Sequence, residues 1–222
     1  MPMASPALDA DLTALFGGGC RARVGLLESA HDESHLHEAE LSVIARAVAK
    51  RRREFSMGRL LARELLAEWG VAGFTLLPDA DRCPVWPKGI SGSLSHCATL
   101  CAVVVASREA IRSVGLDVES EAPMDEKLVD RICCPEELSG LGPIERRERA
   151  KLLFSIKEAV YKCQFPLSRT FLGFHDVCVE LEEDRFVASI RDEKAADLAA
   201  PHVRGRFALL AGHVFSAARL DD

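Results

Sequence analysis

Residues 113 to 120, SVGLDVES, alternate so strictly between apolar and small or acidic side chains that they read as a β-strand. Val114, Leu116 and Val118 face one way; Gly115, Asp117 and Glu119 face the other. Two carboxylates at this spacing have Cβ atoms roughly 6 to 7 Å apart. That is too far to share a proton, yet both can reach one hard cation held between them. Taken alone, the pattern also fits an amphipathic strand with its polar face in water.

A long helix is predicted from Glu145 to Phe165, ERRERAKLLFSIKEAVYKCQF, with Leu152, Ile156, Ala159, Val160 and Cys163 on one stripe. Lys151, Ser155, Glu158 and Lys162 fall on its other side. By periodicity Glu158 and Lys162 form a surface ion pair one turn apart, and Lys157 lies about 100° from Glu158 around the helix. A second helical pattern spans Glu38 to Trp69, with Leu41, Ile44, Val48, Leu61, Leu65 and Leu66 in phase and Gly70 as its stop. Its middle, KRRREFSMGR, crowds Lys50, Arg51, Arg52, Arg53, Arg59 and Arg63 around Glu54. Consecutive bases repel one another, so the stretch attracts an anion.

Elsewhere Asp9 to Phe16 reads as a short helix ended by Gly17 to Gly19, a run without the Gly-Lys-Ser/Thr ending of a phosphate loop. Arg23 to Leu27, Phe74 to Leu77, Ser91 to His96 and Leu100 to Ala106 read as strands, and Glu121 to Gly142 as a loop with short helices. CVELEE, RFVASIR, HVRGRFALLAG and HVFSAARL are four more strands. His31, His35 and His37 lie in an acidic stretch that suits a solvated loop better than a metal site. His96 either bonds a backbone carbonyl in the core or, beside the Ser95 hydroxyl, donates to phosphate.

Each half thus carries a long helix and several strands, which gives an α/β (α+β) fold with lobes at 1–112 and 113–222, although no sequence repeat is visible. No apolar run approaches the roughly 20 residues of a membrane helix. The N-terminus lacks the basic and apolar regions of a secretory signal, so a cytoplasmic protein is expected. Eight scattered cysteines without a two-residue-spaced pair suggest reduced thiols, with Cys97, Cys101, Cys163 and Cys178 as small core residues. A net charge of -6 and 6% aromatic residues argue against a nucleic-acid binder.

Three blocks, GSLSHC at 92–97, VGLDVE at 114–119 and FSIKEAVYK at 154–162, together resemble the Sfp-type 4'-phosphopantetheinyl transferases. That family's signature is an apolar-Gly-apolar-Asp-x-Glu strand followed by a helix reading F-S-x-K-E-A-x-x-K. The KRRREF helix, the WP loop and PLSRTFLGF look most like its actinobacterial branch. The resemblance runs from about Ile44 to Phe207. It implies a pseudo-dimer of two similar lobes, each a small, mainly antiparallel sheet packed on a long helix, with coenzyme A in the cleft between them.

It further implies transfer of 4'-phosphopantetheine from coenzyme A to a serine of an apo acyl, polyketide or peptidyl carrier protein, with release of 3',5'-ADP. Asp117, Glu119 and Glu158 would hold Mg²⁺, or Mn²⁺ in its place, and Glu158 would also accept the serine proton. Lys162, Ser95 and His96 would contact phosphate, and Arg51 and Arg59 the 3'-phosphate. Arg82 and Lys88 are further candidates, on a loop whose PDAD is acidic where some relatives carry a base. The carrier is expected to dock near an exposed Met124 to Leu128, with Arg146, Arg147 and Arg149 available for an acidic helix. A monomer is expected, with neither nucleic acid nor membrane as partner. The competing reading is a non-catalytic coenzyme A or nucleotide binding module, which would need no carboxylate triad.

Overall fold

The computed structural model describes residues 5–27, 32–191 and 202–221. Helix α1 (Pro6–Phe16) starts on a Ser5 side-chain cap and ends at Gly17, whose φ of 77° suits glycine. β1 (Cys20–Leu26), β2 (Ile90–His96) and β3 (Leu100–Ser107) form an antiparallel sheet in the order β1-β3-β2. The uninterrupted apolar run of β3 places it in the centre, buried on both faces. A second antiparallel sheet joins β4 (Ser113–Ser120), β5 (Val177–Glu182), β6 (Arg185–Ile190), β7 (His202–Leu210) and β8 (His213–Leu220) in the order β4-β8-β7-β6-β5. The four C-terminal strands are those the alternation predicted.

Helix α3 (Ala49–Glu68) covers the outer face of the first sheet with Met57, Leu61, Leu65 and Leu66, while α5 (Pro143–Ser168) covers one face of the second. Between the sheets lies a shared core, where Val24, Ala102 and Val104 meet Val114, Leu116, Val118 and Phe215. β2 and β4, each an edge of its own sheet, are stitched together by side chains instead of a backbone ladder. Ser91 Oγ accepts from the Val114 amide at 3.2 Å and Ser93 Oγ from the Leu116 amide at 3.0 Å. Exposed sheet edges need partners, and the alternating serines of SGSLSH supply them.

The long helix expected from Glu38 to Trp69 is two helices, α2 (Glu38–Val43) and α3. Val48 is extended and caps α3, which lets α2 fold back so that Ile44 packs with Leu36 and Phe55. Arg52 fastens the corner by donating to the Ile44 carbonyl at 2.9 Å and pairing with Glu33. Phe74 to Leu77 is no strand; side chains satisfy the backbone of Leu76, Glu40 accepting from its amide and Arg59 donating to its carbonyl, while the Leu77 carbonyl accepts from the Val85 amide. The loop with short helices predicted at Glu121 to Gly142 holds α4 (Glu126–Ile132).

β4 is not half-solvated. Its Val114, Leu116 and Val118 are fully buried and Asp117 is 3% exposed. All eight cysteines are free thiols; Cys101 and Cys163 are core residues, whereas Cys97 and Cys178 are only half-buried. None of the described helices is long and apolar enough to cross a membrane.

Candidate active site

Helix α5 runs antiparallel over β4, and the absence of a side chain at Gly115 allows the close approach. A Cβ there would lie 1.9 Å from the Ala159 carbonyl oxygen. Ser113 Oγ donates to the Cys163 carbonyl at 2.5 Å, and Lys151 Nζ reaches Glu119 Oε2 at 3.0 Å. Residues 113, 115 and 119 thus face 163, 159 and 151, which sets Asp117 level with Ser155 and Glu158.

Lys162 Nζ donates to Asp117 Oδ1 at 2.6 Å and to Ser95 Oγ at 3.0 Å; Ser95 Oγ itself donates to the same Oδ1 at 2.8 Å. The ion pair expected along the helix between Glu158 and Lys162 is therefore replaced by one across elements. Glu158 has no ion-pair partner among the described residues. Burial raises its pKa; the charges of Asp117 and Glu119 add to this, while Lys162 opposes it.

Three buried oxygens at this level lack hydrogen-bond partners: Asp117 Oδ2, Ser155 Oγ and Ser216 Oγ. Ser216 is the cross-strand partner of Asp117. Among the described residues no three carboxylates, imidazoles or thiols are gathered as a ready metal cage; ammonium groups hold Asp117 and Glu119 in this arrangement. The donor set nonetheless fits a hard divalent ion. It is all oxygen, it includes a partnerless buried carboxylate oxygen, and a cation would relieve the repulsion among three neighbouring carboxylates.

His96 ends β2, where its Nε2 receives the Arg51 guanidinium at 3.1 Å and lies 3.5 Å from Glu54. Its ring bonds no carbonyl among the described residues. Burial lowers its pKa, against the opposing pull of Glu54. Arg51 keeps a half-exposed side chain, but Arg59 is 5% exposed, lies over the Phe55 ring and donates Nε to the Leu76 carbonyl. Burial brings the Arg59 pKa down to about 10. Arg59, expected to hold the 3'-phosphate, thus sits enclosed against Phe55 and the Leu76 carbonyl, whereas Arg51 on the same helix stays open to solvent.

A cavity of about 300 Å³ opens between the loop at 78–88 and α5, with Arg82, Trp86, Ser93, Tyr161 and Lys162 in its wall. Lys88 is exposed outside that wall. The acidic PDAD has a local explanation: Arg169, just past α5, pairs with Asp79 and, at 3.6 Å, with Asp81. The expected docking segment is not exposed at Met124, which is 6% accessible and bonded through its backbone to Arg147; Leu128 points outward, and Arg146 pairs with Asp130. His35 and His37 serve structure, bonded to the Ser56 carbonyl and Thr75 Oγ1; His31 lies outside the described residues.

The sequence placed Lys151 on the helix face of Glu158 and Lys162 but offered no partner for it, and it left Lys157 without a partner as well. Lys157 is buried, donating to the Ile132 and Phe174 carbonyls and to Glu137 at 2.8 Å. It ties α5 to the segments on either side.

Residues 37–106 match the family model described as the 4'-phosphopantetheinyl transferase N-terminal domain, and residues 113–213 that of the 4'-phosphopantetheinyl transferase superfamily. The 4'-phosphopantetheinyl transferase PptT of Mycobacterium tuberculosis is 38% identical over 189 residues, covering 80% of this chain and 83% of its own. The 4'-phosphopantetheinyl transferase Npt of Nocardia iowensis is 37% identical over 147 residues, 66% of each chain. Enterobactin synthase component D of Salmonella typhimurium is 35% identical over 141 residues, 59% of this chain and 55% of its own.

Proposed function

The chain belongs to the 4'-phosphopantetheinyl transferase superfamily, and on that premise we propose that it transfers the phosphopantetheine arm of coenzyme A to a serine hydroxyl of an apo carrier protein. The observation that carries this reading is the junction of β2, β4 and α5, where Ser95, Asp117 and Lys162 bond one another beside a half-buried Glu158 with no ion-pair partner among the described residues.

In the proposed reaction a serine Oγ–P bond forms at the β-phosphorus of coenzyme A. The P–O bond to the α-phosphate breaks, and 3',5'-ADP leaves. Glu158, made more basic by burial, accepts the serine proton. Lys162, which borders the cavity, neutralises phosphate charge. Ser95 and His96 provide donors around the same diphosphate, the exposed Arg51 serves the 3'-phosphate, and Arg82 stands in the cavity wall. Asp117, Glu119 and Glu158 would hold Mg²⁺ or Mn²⁺, which when bound offsets charge on the diphosphate. In this proposal the 1–112 lobe supplies the basic coenzyme A contacts and the 113–222 lobe the carboxylates, within one cytoplasmic monomer.

The test is to incubate the protein with coenzyme A, Mg²⁺ and a panel of apo acyl, polyketide and peptidyl carriers, and to weigh each carrier by mass spectrometry. At least one carrier should gain a single phosphopantetheine arm. Coenzyme A binding without any adduct would favour the non-catalytic binding module instead. Asp117→Ala and Glu158→Ala should each lower transfer by roughly a hundredfold or more with an unchanged circular dichroism spectrum; near-normal turnover in either would remove that residue from the mechanism.

A further inference from the structure

We propose that Lys151 is a stand-in cation, holding Glu119 until the divalent ion arrives and displaced by that ion; this rests on the carboxylate assignment made above. Its Nζ lies 3.0 Å from Glu119 Oε2, with the two side chains 14% and 24% exposed. Asp117 and Glu119 thus each carry one ammonium from the same helix, Lys162 on the first and Lys151 on the second. Their circumstances differ. Lys162 keeps a second partner in Ser95 and borders the cavity of about 300 Å³.

Lys151 is not in the wall of that cavity but borders a separate concavity of about 600 Å³ whose wall includes Glu121 and Glu148. Mg²⁺ binds carboxylate oxygen at about 2.1 Å, so an ion on Glu119 would stand against the Lys151 ammonium and repel it. The flexible four-carbon stem lets the ammonium swing towards Glu121 and Glu148, one of which sits a turn earlier on α5. Metal affinity in this chain is then set partly by a residue that is not a ligand, and removing its charge strengthens binding.

The test is calorimetric titration of Mn²⁺ into the full chain without substrate, for the wild type, Lys151→Met, Lys151→Gln and Lys151→Arg, paired with melting temperatures with and without the ion. Lys151→Met and Lys151→Gln should bind Mn²⁺ about five- to tenfold more tightly than wild type. They should melt lower without ion, with the gap closing at saturating Mn²⁺, and Lys151→Arg should behave as wild type. Equal or weaker affinity in both neutral variants, or a melting gap that the ion leaves untouched, overturns the proposal. Asp117→Ala separates it from the underlying assignment. Undiminished Mn²⁺ binding in that variant, or no binding in wild type, refutes the carboxylate site and the stand-in with it, whereas the ratio of wild type to Lys151→Met judges Lys151 alone.

Discussion

Burial holds the His96 imidazole below its ordinary pKa, with Arg51, Lys162 and Lys50 adding to the effect and Glu54 opposing it. A depressed folded value means that protonation favours the unfolded chain. The resulting stability is present above the unfolded value of about 6.5 and is lost as pH falls through the folded value. Stability measured by urea unfolding should therefore decline from about pH 7 to about pH 5, and less steeply in His96→Gln; parallel declines would show that His96 does not contribute. At this scale strand alternation set Asp117 and Glu119 on one face, while only the family resemblance carried by VGLDVE and FSIKEAVYK, not helical periodicity, joined Glu158 to them. The basic residues were less legible. Arg51 and Arg59 are both arginines of one helix, yet one is exposed and the other encloses itself against Phe55 and Leu76. Residue type states the charge, but not which side of the helix the protein covers.

Helix α5 and strand β4 form the element pair on which the site depends, and Gly115 sets their distance. In Gly115→Ala the new Cβ would overlap the Ala159 carbonyl at 1.9 Å and the Cys163 amide at 2.6 Å, backbone atoms that cannot rotate away. A loss on the order of 3 kcal/mol in unfolding free energy is expected, with transfer activity falling as Glu158 is pushed from Asp117. A variant as stable as wild type would mean that α5 can lift off β4 freely. Strands β4 to β8 and α5 were legible as elements because alternation and helical period are local properties. The corner between α2 and α3 was not, since the apolar phase continues across it and only the packing of Ile44 on Leu36 and Phe55 bends the chain. Phe74 to Leu77 misled for the related reason that side chains of Glu40 and Arg59, not a neighbouring strand, satisfy the backbone of Leu76.

The whole molecule is two sheets joined along β2 and β4, with the candidate site at the end of that seam. Ser93→Ala would leave the buried Leu116 amide without its acceptor and should cost about 1–3 kcal/mol. Denaturant unfolding checks this; a loss near zero would show that the hydroxyl does not secure the seam. The sequence by itself determined the strand faces, the helix carrying Glu158 and Lys162, and the order of the three motifs, because each depends on residues a few positions apart. Only the tertiary structure decided which charge meets which. Lys162 lies 45 positions from Asp117 and 67 from Ser95, and Lys151 lies 32 from Glu119. Those pairings follow from the antiparallel seating of α5 on β4 and from the meeting of two sheet edges. Local periodicity specifies which face a side chain occupies, but not the distant face packed against it.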